Sequence, residues 1–132
     1  MTELRVQASS PTPMQDCDAT ILLVDDDAFI LEAVGSLLTR LGYLPEFAST
    51  GEEALAKLGA GLEPTLVILD MDMPGMGGAL ALPRIRALRP ELPIVISTGR
   101  ITTTVTDLVK RHPYVSLLPK PYGLQELRAK LA

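Results

Sequence analysis

At 132 residues the chain holds one domain with a buried core and little room for a second. Its 47% hydrophobic and 21% charged content is too apolar for disorder, and no apolar run approaches the ~20 residues that span a bilayer, so no membrane partner is expected. A net charge of −4 argues against nucleic acid as a partner, and the single cysteine, Cys17, excludes a disulfide framework or a cysteine-based zinc site.

Residues 1–19 mix Ser, Thr, Pro, Gln and Asp without a period and read as a flexible tail or linker, with Cys17 an incidental thiol. They contain no apolar stretch of a secretory signal, so a cytoplasmic protein is expected. The domain, residues 20–132, begins with the apolar strand Ile21 to Val24. Ile30, Val34, Leu37, Leu38 and Leu41 then recur on one helical face, with Asp27 as N-cap and Gly42 at the end. Tyr43 to Ala48 predicts a weak strand, and Pro45 assigns it to a sheet edge. Thr50 with Glu53 is a capping-box signature for a helix carrying Ala54, Leu55 and Leu58 inward.

Leu66 to Leu69 predicts a strand buried on both faces. The next helix carries Leu82, Ile85 and Leu88 and ends before Pro90, and Pro83 requires a late start or a kink. Ile94 to Ser97 is a further buried strand. Thr102 to Arg111 follows as a short or mobile helix, because its threonines are β-branched. Val115 to Leu118 forms the last strand, and Leu124, Leu127 and Leu131 line the last helix. Five βα units predict an α/β fold, a flavodoxin-like (βα)5 doubly wound parallel sheet of strand order 2-1-3-4-5. Ligands of such sheets bind beyond the C-terminal strand ends, at the crevice between strands one and three.

Acids converge on that crevice. Asp25-Asp26-Asp27 close the first strand and Asp70 closes the third. Crowded carboxylates repel one another, and a chain keeps them when a cation sits among them. An oxygen-only donor set suits a hard ion such as Mg2+, which retains waters that a phosphate can replace, with Mn2+ as the alternative. Ser97-Thr98-Gly99 and Lys120-Pro121 end the fourth and fifth strands at the same edge.

This set, in Val24-Asp25-Asp26, Asp70-Met71-Asp72-Met73-Pro74-Gly75-Met76-Gly77-Gly78, Ser97-Thr98-Gly99 and Leu118-Pro119-Lys120-Pro121, resembles the receiver domain of two-component response regulators. The resemblance implies that Asp70 accepts a phosphoryl group from a phosphohistidine of a sensor histidine kinase or histidine phosphotransfer protein. It implies Mg2+ ligation by Asp26, Asp70 and the backbone carbonyl of Asp72, with Asp25 acting through a water. Thr98 and Lys120 would each meet a phosphoryl oxygen, Gly99 would leave the mouth open, and the bond before Pro121 would be cis. Asp72 and Arg100 occupy positions that modulate hydrolysis of the phosphoryl group in that family, and their opposite charges suggest a pair across the mouth.

Leu117 departs from the family pattern, which places an aromatic residue three before the lysine, so coupling of Thr98 to an aromatic switch is in doubt. Asp27 is explained as a helix cap, His112 as exposed, and Arg84, Arg86 and Arg89 as a solvated helix face. The expected protein is a signalling domain rather than an enzyme, passing its signal to a downstream protein, because no further domain follows the fifth helix; a receiver excised from a hybrid kinase is the other origin. Two readings compete. Asp70-Met71-Asp72 looks like the nucleophile pair of haloacid-dehalogenase-like phosphatases, but Pro74 breaks that motif. A receiver-like binding module that works without phosphate is the second. Oligomeric state is not legible.

Overall fold

The computed structural model describes residues 19–73 and 76–131. The expected tail up to Asp18, with Cys17, and the Pro74-Gly75 step lie outside the described residues. The apolar runs form β1 (Thr20–Val24), β2 (Leu44–Ala48), β3 (Leu66–Asp70), β4 (Ile94–Thr98) and β5 (Val115–Pro119). Between and after them lie α1 (Ala28–Arg40), α2 (Gly51–Gly59), α3 (Gly78–Leu88), α4 (Thr103–Arg111) and α5 (Leu124–Leu131). All strands pair in parallel, in the order β2-β1-β3-β4-β5, with Pro45 on the edge strand.

Alternation along the strands divides the core in two. Ile21, Leu23, Leu66, Ile68 and Val95 pack with Val34 and Leu38 of α1 and Leu127 of α5. Leu22, Val24, Val67, Leu69, Ile94 and Ile96 pack with Ala54 and Leu58 of α2, Leu82 and Ile85 of α3, and Val105 and Leu108 of α4. Each fully buried Leu or Ile contributes about 1.5–3 kcal/mol. The central strands are apolar on both sides because helices cover both faces. Among the described residues, no helix is long and apolar enough to cross a membrane.

Local chemistry sets the helix ends. Asp27 Oδ1 accepts from the Phe29 N–H at 2.9 Å, the cap expected for α1. At its other end Gly42 has φ of 94°, and the N–H groups of Gly42 and Tyr43 reach the carbonyls of Thr39 and Leu38, both at 3.0 Å. This double closure needs a left-handed residue, which glycine supplies without strain. Thr50 Oγ1 caps α2 by accepting from the Glu53 N–H at 3.0 Å. The Glu53 carboxylate reaches one residue further back than a standard capping box, to the Ser49 N–H at 2.7 Å and the Ser49 hydroxyl at 3.0 Å.

Of the two alternatives for Pro83 the late start is excluded: α3 begins at Gly78, well before it, and the Ala79 carbonyl that loses its donor belongs to an exposed residue, where water can supply one. Leu88, in the last turn, is 45% exposed. Two expectations need correction. His112 is half-buried as the residue closing α4, its N–H donating to the Leu108 carbonyl at 3.2 Å.

The arginines also depart from expectation. Arg84 is exposed, but Arg86 is buried and donates to the carbonyls of Arg89 at 2.8 Å and Tyr114 at 3.3 Å. Its guanidinium lies 6.0 Å from the centre of the Tyr114 ring. Arg89 donates to the carbonyls of Leu58 at 2.8 Å and Leu62 at 3.1 Å, tying the end of α3 to the end of α2 and the turn after it. Arg86→Ala is therefore expected to cost about 1–3 kcal/mol in a denaturant titration, and Arg84→Ala no more than about 0.5 kcal/mol. Equal effects of the two substitutions would contradict the assignment.

Candidate functional site

Parallel pairing carries the C-terminal ends of four strands to one edge. Val24 is in register with Leu69, so the next residues, Asp25 and Asp70, emerge side by side. Asp70 is paired with Ser97, and Thr98 with Pro119, which brings β4 and β5 to the same place. Gly78 allows α3 to start against this edge: a Cβ there would come within 2.8 Å of the Asp70 carbonyl oxygen and 2.6 Å of Met71 Sδ.

Asp25 and Asp70 are each 2% exposed. Asp25 Oδ1 accepts from the Asp27 N–H at 2.9 Å, and Asp70 Oδ1 from the Asp72 N–H at 3.0 Å, which fixes both carboxylates. The Lys120 backbone N–H donates to the Thr98 carbonyl at 2.8 Å, and the Lys120–Pro121 peptide bond is cis. Lys120 Nζ lies 3.1 Å from Asp70 Oδ1 and 3.2 Å from Asp25 Oδ2. Asp26 is exposed, and carboxylate oxygens of Asp25, Asp26 and Asp70 all lie within 4.8 Å of one another.

The electrostatics follow from this crowding. Burial raises the Asp70 carboxyl above the usual aspartate range, and the neighbouring Asp25 charge adds to it; the Asp72 N–H and Lys120 pull the other way without cancelling the rise. Partial burial alone would lower the Lys120 ammonium, but the charges and hydrogen bonds of Asp70 and Asp25 outweigh it and hold it above the ordinary lysine value. One ammonium faces three carboxylates, so the donor set has room for more positive charge. An all-oxygen donor set gathered within 4.8 Å fits a hard divalent ion such as Mg2+.

The remaining predicted residues surround the acids. Thr98 is buried; its Oγ1 donates to the Arg100 carbonyl at 2.9 Å and accepts from the Arg100 N–H at 3.1 Å. Asp72 Oδ2 lies 3.4 Å from the same hydroxyl. Asp72 and Arg100 form no ion pair, so the anticipated bridge across the mouth is absent; the Asp72 carboxylate meets Thr98 instead. The space beside Gly99 is open, since a Cβ there would touch nothing within 4 Å. Leu117 is half-buried against the cluster that holds Ile96 and Val105.

Two residues of the site had no role assigned from the sequence. Tyr122 follows the cis bond and is half-buried against the Val95–Leu118–Leu127 cluster. Ser97 Oγ is buried and has no hydrogen-bond partner among the described residues. The available signal was a polar residue closing the apolar run Ile94-Val95-Ile96. Beside Tyr122, Phe29, Ile30, Ala33 and Val34 of α1 line an apolar groove with Pro121, and Phe29 is 84% exposed.

Comparison with known proteins agrees with this arrangement. Residues 21–132 match the family described as response regulator receiver domain. Among curated relatives, the DNA-binding transcriptional regulator NtrC of Rhizobium meliloti is 34% identical over 83% of this chain and 22% of its own length. Response regulator MprA of Mycolicibacterium vanbaalenii is 35% identical over 84% of this chain and 48% of its own. The chain thus spans half or less of these relatives. Among solved structures, a CheY-like receiver domain protein from Methanospirillum hungatei has a TM-score of 0.80 at 29% identity, covering 86% of this chain and 90% of that one. Chemotaxis protein CheY4 of Vibrio cholerae has a TM-score of 0.79 at 29% identity, covering 86% and 96%. With the fold, the acid cluster and the lysine in agreement, the chain belongs to the response regulator receiver domain family, the phosphoacceptor modules of two-component signalling.

Proposed function

We propose that Asp70 is the phosphoacceptor, receiving its phosphoryl group from a phosphohistidine on a sensor histidine kinase or histidine phosphotransfer protein. The observation that carries this reading is the contact of Lys120 Nζ with both buried carboxylates, beside an exposed third acid. A carboxylate oxygen of Asp70 attacks phosphorus in line; the O–P bond forms, the P–N bond breaks, and its electron pair returns to the imidazole nitrogen. Such transfer needs positioning and charge neutralisation more than nucleophilic strength. The Asp72 N–H orients Asp70, and Lys120, released from the carboxylates, pairs with a phosphoryl oxygen. Thr98 exchanges its Arg100 partner for another phosphoryl oxygen.

Asp26, Asp70 and the Asp72 carbonyl would hold Mg2+, or Mn2+ in its place, with Asp25 acting through a water. When bound, the ion offsets the charge that accumulates between carboxylates and phosphate. Gly99 leaves the approach open, and the groove along α1 supplies an apolar surface next to Lys120 for the donor protein. The signal then passes to a downstream protein, with no role for nucleic acid or membrane in this domain itself and the cytoplasm as its compartment. The domain assists its own phosphorylation and dephosphorylation, with Asp72 and Arg100 modulating the latter, and is not an enzyme acting on other substrates. Residues 20–132 form the receiver, with 1–19 as tail or linker. The phosphatase reading has less support, because the Asp72 carboxylate is turned to Thr98 rather than poised beside Asp70 as an acid. The phosphate-independent module has less support because the acids and Lys120 are intact.

Acetyl phosphate with Mg2+ should add one phosphoryl group to the wild-type protein, read by intact mass, and none to Asp70→Asn. Uptake by the variant would move the acceptor elsewhere. Asp26→Ala should weaken Mg2+ binding by about 10-fold or more in a calorimetric titration. Lys120→Ala should retain Mg2+ binding and lose the phosphorylated response; an unchanged response would remove the lysine from the site.

Stability should depend on pH through Asp70. Its carboxyl sits above the unfolded value, so its ionisation costs the folded chain nothing below that value and the full penalty above the folded one. In metal-free buffer Asp70→Asn should therefore raise the melting temperature at neutral pH, with the gain vanishing as pH falls below the unfolded carboxylate value. A loss of stability at neutral pH would contradict the repulsion argument.

A further inference from the structure

A surface helix normally turns charged and polar side chains to solvent. α2 does so with Glu52 and Glu53, and α4 with Asp107, Lys110 and Arg111. α3 packs on the same face of the sheet but departs from that rule. Its exposed residues are Ala79, Leu80, Pro83, Arg84, Ala87 and Leu88, so a single charge interrupts an apolar stripe. Leu80 is 59% exposed and Leu88 45%. Exposed leucines scattered singly are ordinary, but a stripe along a whole helix marks a surface that another molecule covers. The stripe also has relief. Leu80, Arg84 and Leu88 recur every four residues as a ridge, and Ala79, Pro83 and Ala87 recur beside them as a shallow groove. Ala79 also lines a cavity of about 600 Å3 shared with Met71, Thr102 and Val105.

We propose that this outer face of α3 is a docking surface for a partner protein that presents an acidic amphipathic helix. Rows spaced by four residues are the rows that interdigitate when two helices pack, so a helix is the element that engages ridge and groove together. Its apolar side chains cover Leu80 and Leu88 and fill the row of Ala79, Pro83 and Ala87. Between the leucines stands Arg84, which forms no ion pair with another described residue. A wholly apolar partner would bury that charge unpaired, whereas a carboxylate opposite it forms a two-pronged ion pair with the guanidinium. A second copy of this chain lacks that complement. Arg84 is midway between the leucines, so a two-fold pairing of Leu80 with Leu88 sets Arg84 against Arg84. The donor groove along α1 lies across the sheet, with the other half of the core, so a helix on α3 leaves it open. The surface gives a downstream protein a place of its own, and it stands independently of the phosphoacceptor reading.

The probe is a displayed library of amphipathic helices of about 18 residues, long enough to cover the stripe, selected against the full unphosphorylated chain. Selected helices are expected to carry Asp or Glu between two apolar residues. They should bind Leu80→Asp and Leu88→Asp roughly 10-fold or more weakly than the wild type. Leu44→Asp, at an exposed leucine on β2, serves as control and should bind as the wild type does. Arg84→Glu should reverse the preference, so that replacing the central acid of a selected helix by Lys restores binding. That reversal is a gain, which damage to the fold cannot produce. A library without binders, helices indifferent to both leucine substitutions, or an acid preference that survives Arg84→Glu would each overturn the proposal. Wild-type dimers in sedimentation that Leu80→Asp and Leu88→Asp dissociate would overturn it as well, by assigning the stripe to a second copy.

Discussion

Unbalanced negative charge at one edge of the sheet is the constraint on which the rest depends. Two carboxylates 2% exposed and a third beside them face a single ammonium, at 3.1 and 3.2 Å from the buried pair. Burial makes each charge costly, and the neighbouring carboxylates make the others costlier still. Fixed backbone donors from Asp27 and Asp72 offset part of that cost and hold the oxygens in place. What remains is a site that gains when positive charge arrives and that can accommodate a phosphoryl group only when it does. The same imbalance keeps Lys120 close to the acids until something draws it away.

The fold exists around that edge in a direct physical sense. Parallel strands must return by a crossover, so each C-terminal end is followed by a loop and a helix start on the same side of the sheet. Asp25 and Asp70 are adjacent because β1 and β3 are adjacent, although 45 residues separate them in sequence. Gly78 lets the start of α3 approach the end of β3 closely enough to leave no side chain between them. Lys120 reaches the acids from β5, two strands from β3, with its backbone anchored to Thr98. Positions on four strands are therefore tied through hydrogen bonds that converge on one small region.

Much of this was legible in the chain because its signals are local. Asp27, Gly42 and Thr50 announce helix ends through bonds spanning two to five residues, and Pro45 announces an edge because it lacks a donor. The strand ends and the acids were legible together, since apolar runs that stop at aspartate are rare for purely structural reasons. The errors fall where the deciding partner is distant. Arg86 reads as a surface residue until the Tyr114 carbonyl arrives 28 residues later, and Arg89 until the end of α2 is beside it. Pro83 left a late start and a kink open, and Gly78, packed against the end of β3, begins α3 early. Asp72 and Arg100 look complementary by charge, but Thr98 lies nearer to the Asp72 carboxylate.

The account turns on whether the acid edge binds a phosphoryl-like group on Asp70 once positive charge is supplied. Fluorine-19 magnetic resonance of the full chain with Mg2+ and beryllofluoride tests this directly. Bound fluoride resonances in the wild type, absent without Mg2+ and absent in Asp70→Asn, are the predicted result. Mg2+ binding by the wild type without any bound fluoride resonance, or bound resonances that persist in Asp70→Asn, would contradict it.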